Sequence, residues 1–241
     1  MAAQRPSFPD DSIQSLVGDW WRDDEGKPSL CRGRLLWAFV PHVDQDPRTL
    51  TPEGRAQATE HERATFRIEP LRVSQQRSAP KLPIAGLPGV EEEVHTVYRA
   101  KLRPALVLGG ESTEAVDPAL TRGMSKYQTA QTVLVAPYYG ITGGTKRGGF
   151  NREFVDRIRR AEYPEYVWDS LPVGGSTAES LLMLKQLQPI GRHHNAYELT
   201  PYRLHAEALA VMDEWLEWLL TARLDPEGVI EMFRSGVRAL S

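Results

Sequence analysis

Two short apolar runs constrain this chain more than any other part of it: Tyr98–Gly110, YRAKLRPALVLGG, and Gln131–Gly140, QTVLVAPYYG. Each is rich in Val and Leu, carries a Pro and is bounded by turn residues, the pattern of a strand buried on at least one face. The two are expected to pair in one sheet. Arg99, Lys101 and Arg103 stand at the entry to the first strand, so at least one cation is held at the rim of a rigid sheet, a place suited to anion chemistry. The alternative is that Arg-Pro only starts a strand and the charges are solvated.

A third strand, Arg32–Pro41 (RGRLLWAFVP), is apolar on both faces and is expected to be central. His42 and Asp44 follow it directly, where loop residues often gather at sites. The next stretch reads differently. Thr51-Pro52-Glu53 carries an N-cap, a first-turn Pro and a first-turn acid, which predicts a polar helix through about Glu62. Phe66, Ile68, Leu71 and Val73 suggest one more strand, and Ser74–Gly89 is rich in Pro, Gly and Arg. Residues 44–95 therefore read as an insertion between two strands that would otherwise be neighbours.

At the N-terminus, Ile13–Trp21 predicts a short amphipathic helix closing one end of the core, with only one of the adjacent Trp20 and Trp21 pointing inward. Beyond Pro137, the turn Tyr138–Gly144 is Gly-rich but matches neither the Walker loop nor the dinucleotide fingerprint. Lys146, Arg147, Arg152, Arg157, Arg159 and Arg160 follow, against only Glu153 and Asp156, and Asn151 is expected to cap a helix with Phe154, Val155 and Ile158 as its apolar stripe. Cations beside Tyr138, Tyr139, Tyr163 and Tyr166 suit a single-stranded nucleic acid, whose phosphates need charge and whose bases need rings. A solvated basic face is the alternative reading.

Tyr166–Leu171 and Ser180–Leu187 are further strand candidates. His193 and His194 are adjacent and share no acid or Cys at ligand spacing, which argues against a metal site. Thr200-Pro201 is expected to open a packing helix, Tyr202–Leu224, and Asp225-Pro226-Glu227 a second one.

With 241 residues, 41% of them hydrophobic, the chain is long enough for one large or two small cores. No apolar run reaches the ~18–20 residues of a membrane helix, and the N-terminus lacks the apolar core of a secretory signal, so a cytoplasmic address is expected. The single Cys31 excludes an internal disulfide and a multi-Cys zinc site. A net charge of -3 means that any nucleic-acid binding must come from a local patch.

Taken in order, the strand opened by Arg32-Gly33, the run Arg103-Pro104-Ala105-Leu106-Val107-Leu108, the strand ending Val135-Ala136-Pro137, the segment Leu182–Leu187 and the C-terminal helix resemble the MazF/PemK (Kid) family of toxin endoribonucleases. The resemblance covers 32–41 and 98 to about 220. It implies a mainly β fold, an SH3-like barrel with terminal helices, laid out as an extension at 1–30, a barrel domain at 31–224 and a C-terminal helix at 225–241. It predicts five or six antiparallel strands, with Leu35, Trp37, Phe39, Leu106, Leu108, Leu134 and Leu182 in the core. It also implies a homodimer that cuts single-stranded RNA without metal or cofactor, in company with an antitoxin.

In the family, catalysis uses the Arg of the first motif and a Thr two residues past the Pro of the second. Here these positions are Arg103 and Tyr139, with Thr142 and His42 as further catalytic candidates. Arg99, Lys101, Lys146, Arg147 and Arg152 are the expected RNA-binding cations. The competing arrangement pairs Arg103 with Glu91, Glu92 or Glu93 of the insertion and closes the site. Three functions follow: a ribonuclease, a non-catalytic RNA-binding or antitoxin-responsive module, and a barrel that docks another protein.

Overall fold

The computed structural model describes residues 8–24, 26–55, 57, 59–60, 63–74, 93–110, 119–120, 122–124, 131–142, 149–173 and 178–240. The chain forms two compact units, one built from Met1–Phe39 with Leu102–Ser241 and the other from Val40–Lys101.

The first unit is mainly antiparallel β with helices. Its strands are β1 (Trp21–Asp23), β2 (Arg34–Pro41), β6 (Ala100–Gly109), β7 (Thr132–Gly140), β8 (Tyr166–Leu171), β9 (Ala178–Met183), β10 (Gln188–Gly191) and β11 (Tyr197–Leu204), of which β2 and β6 run on into the other unit. They form one sheet in the order β1-β11-β2-β6-β7-β9-β8, with β10 also on β7. The stretch 44–95 thus lies between two neighbouring strands, β2 and β6. β7 carries β10 along Thr132–Val135 and β9 along Tyr138–Gly140. The sheet divides there, and its eight strands follow an open path with no closed barrel among the described residues.

The helices are α1 (Gln14–Val17), α2 (Arg152–Arg159), α3 (Ala206–Thr221) and α4 (Val229–Leu240). α3 lays Ala208, Val211, Met212 and Trp215 against Leu35, Leu106, Leu108 and Leu182, with Ile230 and Phe233 of α4 joining the same core. A smaller core lies under α2, where Val155 and Ile158 meet Trp168, Leu181 and Met183. Burial of these apolar faces drives the assembly, at roughly 25 cal/mol per Å².

Several expectations are corrected. Phe39 is 68% exposed and Leu134 38% exposed, although both were expected in the core. Side chains alternate along a strand, and the buried Ala38 and Val40, or Val133 and Val135, take the inward positions on either side of them. Trp20 and Trp21 are both buried, since Trp20 precedes β1 and escapes its alternation. Their indole N–H groups converge on the carboxylate of Asp169, at 3.3 and 3.1 Å. Only Gln14–Val17 of the expected N-terminal helix is helical.

Thr200-Pro201 lies inside β11 instead of opening a helix. The β11–β2 register shifts between Leu199 and Arg203, and a proline's missing N–H is tolerated at such a break. The irregularity is stitched by side chains: Thr200 Oγ1 donates to the Leu35 carbonyl at 2.6 Å, and Arg34 Nη1 donates to the Pro201 carbonyl at 2.9 Å. α3 then begins at Ala206, without a side-chain cap.

The second unit is a three-stranded antiparallel sheet in the order β4-β3-β5, from β3 (Arg48–Gly54), β4 (Thr65–Pro70) and β5 (His95–Val97). The helix expected from Thr51 is strand β3. Pro52 is compatible with that because β5 pairs only with Arg48–Leu50, so the position lacking an N–H lies past β5 on its edge.

Candidate functional site

β6 and β7 set the site by their register. Ala105 lies opposite Pro137 and Leu106 opposite Ala136. Continuing that antiparallel ladder by two residues sets Arg103 opposite Tyr139. Cross-strand neighbours on one face touch, and the Arg103 guanidinium carbon lies 3.6 Å from the centroid of the Tyr139 ring. That is cation–π range, where a desolvated pair is worth on the order of 2 kcal/mol. Arg103 is 5% exposed, with Nε and Nη2 enclosed, and Tyr139 is half-buried.

The phenol reaches further. Tyr139 OH donates to Gln186 Oε1 at 2.6 Å, from the 3₁₀ turn Leu184–Gln186 that follows β9. Gln188 Nε2 donates to the Gln186 carbonyl at 3.3 Å, so the turn is held from both sides. The neighbouring Tyr138 points the opposite way, as strand alternation requires, and donates to Asp169 at 2.9 Å.

Asp169 is fully enclosed. Burial raises its carboxyl to about 6, partly opposed by the indole N–H groups of Trp21 and Trp20 and the hydroxyl of Tyr138, which favour the charged form. Burial, followed by the Asp169 charge, raises the Tyr138 phenol well above its ordinary value. This cluster ties the N-terminal segment to β7 and β8, and all four of its side chains are buried.

Thr142 is exposed just past the end of β7. Arg152 opens α2, but Asp156 and Glu179 neutralise it at 3.2 and 3.1 Å. Lys146, Arg147, Glu91 and Glu92 lie outside the described residues. His42, Arg99 and Lys101 belong to the second unit. There His42 is 8% exposed and its N–H donates to the Arg99 carbonyl at 2.8 Å, while Arg99 Nε donates to Gln45.

Gln186 and Lys185 were not singled out in the sequence as site residues. Lys185 Nζ donates to Tyr166 OH at 2.5 Å and lies 4.8 Å from that ring's centroid. The signal was a polar pair, Lys185-Gln186, interrupting an otherwise apolar strand run. Among the described residues no group of three His, Cys, Asp or Glu side chains is placed to hold a metal, and no helix is long and apolar enough to cross a membrane. What the Arg103–Tyr139–Gln186 arrangement offers is a fixed cation against a phenol whose hydroxyl is oriented by an amide, the components of a phosphate-handling site. No protein-family model, curated protein or solved structure matches the chain.

Proposed function

We propose that this chain is a metal-independent endoribonuclease of the MazF/PemK type, with an SH3-like sheet in its first unit and single-stranded RNA as its substrate. The observation that carries the reading is the stacking of Arg103 on Tyr139 at 3.6 Å, which joins the two motif positions on adjacent strands. In the reaction, the 2'-oxygen attacks the neighbouring phosphorus and the bond to the 5'-oxygen breaks. The 2'-hydroxyl gives up a proton, the leaving oxygen takes one, and the products are a 2',3'-cyclic phosphate and a 5'-hydroxyl. Arg103 contributes fixed positive charge to the pentavalent phosphorane, and the Tyr139 hydroxyl, held by Gln186 Oε1 before RNA arrives, turns its one proton from that acceptor to a phosphate oxygen. A homodimer and an antitoxin partner belong to the same proposal.

The 5% exposure of Arg103 favours a second reading, a non-catalytic RNA-binding module in which that arginine is structural. An unstructured RNA incubated with the protein in chelator separates the two. Cutting that is abolished by Arg103→Ala, with RNA binding partly retained, is the expected result; binding without cutting by the wild type selects the second reading. Light scattering at micromolar concentration tests the dimer, which a mass of 27.1 kDa, that of one chain, would refute.

A further inference from the structure

A continuous series of contacts leads away from the Arg103–Tyr139 pair along the surface of the first unit. Tyr139 bonds Gln186, and the next residue, Lys185, lies on the ring of Tyr166. Tyr166 meets Tyr163 edge to face at 6.5 Å, and Arg157 lies 5.1 Å over the Tyr163 ring. Phe154 supports both tyrosines from one side, at 5.5 and 5.4 Å, so their half-buried rings are held in place before any ligand arrives.

Arg157 in turn lines a cleft of about 410 Å³ between α2 and α4, with Arg160, Arg234 and Arg238. Four guanidinium groups there face two carboxylates that pair within the cluster. Glu162 accepts from Arg157 at 2.7 Å, and Glu231 lies 3.4 Å from both Arg234 and Arg238. Among the described residues of this cluster, arginines outnumber carboxylates four to two. The contrast lies on the same helix: Arg152 and Arg159 are matched by Asp156, Glu179 and Asp11. The excess is therefore local to the cleft and not a property of the whole basic helix.

We infer that single-stranded RNA runs from the Arg103–Tyr139 pair over Tyr166 and Tyr163 into the arginine cleft between α2 and α4, which binds the phosphates of its distal nucleotides. The inference rests on the RNA reading above. An acidic polypeptide would satisfy the arginines but would leave the preset tyrosine pair unused, whereas bases stack on rings while phosphates meet guanidinium groups.

The test is fluorescence anisotropy with labelled 2'-O-methyl oligouridylates of ~4 and ~16 nucleotides, the limits of site size in comparable single-strand binders. These sugars lack the attacking hydroxyl, so the ligand stays intact. Arg160→Gln with Arg238→Gln changes two exposed side chains; circular dichroism checks its fold, and Arg238→Gln alone serves if the pair does not fold. The wild type is expected to bind the longer oligomer at least about tenfold more tightly. The double variant is expected to lose that advantage, leave the shorter oligomer unaffected and flatten the logarithmic salt dependence by about 1.4, near 0.7 per phosphate. Tyr163→Leu is expected to weaken the longer oligomer by about tenfold.

A folded variant that binds the longer oligomer like the wild type, with the same salt slope, overturns the track and leaves the proposed function standing. A wild type that binds neither oligomer overturns both. Polyglutamate displacing the longer oligomer from the cleft, with Tyr163→Leu without effect, assigns the cleft to acidic polypeptides and also overturns the track.

Discussion

Tyr138 donates its hydroxyl hydrogen to Asp169 at 2.9 Å, while the next residue, Tyr139, sends its own to Gln186 on the opposite face of β7. One dipeptide thus serves two environments. Tyr138 closes a buried polar knot with Trp20 and Trp21, and Tyr139 supports the exposed end of the candidate site.

Asp169 makes stability depend on pH. Its folded-state value of about 6 lies above the ordinary 3.8, so the protonated form is favoured by folding. That contribution is complete below 3.8 and is lost as the pH rises through about 6. Against Asp169→Asn, the wild type is expected to lose relative stability between pH 4 and 7, by up to about 3 kcal/mol. Urea unfolding at several pH values measures this, and a pH-independent difference between the two proteins would contradict it.

Tyr139→Phe keeps the ring under Arg103 and removes only the hydroxyl. Loss of one hydrogen bond is expected to cost about 0.5–1.5 kcal/mol of stability. On the proposed ribonuclease reading, cleavage should fall by about a hundredfold with binding unchanged, since a positioned proton donor contributes that order. Unchanged cleavage would remove the phenol from the chemistry. Tyr139→Thr, which installs the family's residue but cannot span to Gln186, should lose activity if the phenol is used.

Gly110, directly after β6, has φ +87°, and a Cβ there would lie 2.7 Å from the Thr132 carbonyl oxygen and 2.8 Å from the Val133 Cα. Gly110→Ala should therefore cost about 1–3 kcal/mol, from a backbone conformation that L residues resist and a backbone clash with β7. A shift in denaturation midpoint measures it, and an unshifted midpoint would show that the β6–β7 junction relaxes freely.

Glu214 on α3 accepts the first free amides of α4, Val229 N–H at 2.9 Å and Ile230 N–H at 3.0 Å. Its negative charge lies at the positive end of that helix's dipole. Glu214→Ala should cost about 0.5–2 kcal/mol, and amide exchange should rise first in α4. Exchange that stays unchanged in α4 would dismiss the capping role.

The buried strands were legible in the residues because burial itself writes the pattern: Leu106, Val107 and Leu108, or Val133, Val135 and Ala136, are apolar for the same reason they are enclosed. Asn151 as a helix cap was equally legible, since its side chain accepts from Glu153 N–H only two residues on, at 2.8 Å. Arg103 and Tyr139 were both named from their motifs, but their contact depends on the β6–β7 register, which neither motif states.

Where local signals conflicted with distant partners, the partners prevailed. Thr51-Pro52 and Thr200-Pro201 each spell a helix start, yet β4 pairs with the first directly, and β2 and β1 pair with the residues of β11 on either side of the second, through ladders that join residues far apart in the chain. Trp20 and Trp21 are both inward because an acid 148 residues beyond Trp21 accepts from both indoles. Residue order by itself determined which segments had to be buried and where short-range caps could form, because those free energies depend on side-chain polarity and on neighbours a few positions away. Only the tertiary structure decided which strands lie side by side, which carboxylates each arginine meets and which arginines gather in the cleft between α2 and α4, because ion pairing and desolvation are set by distances that no local pattern encodes.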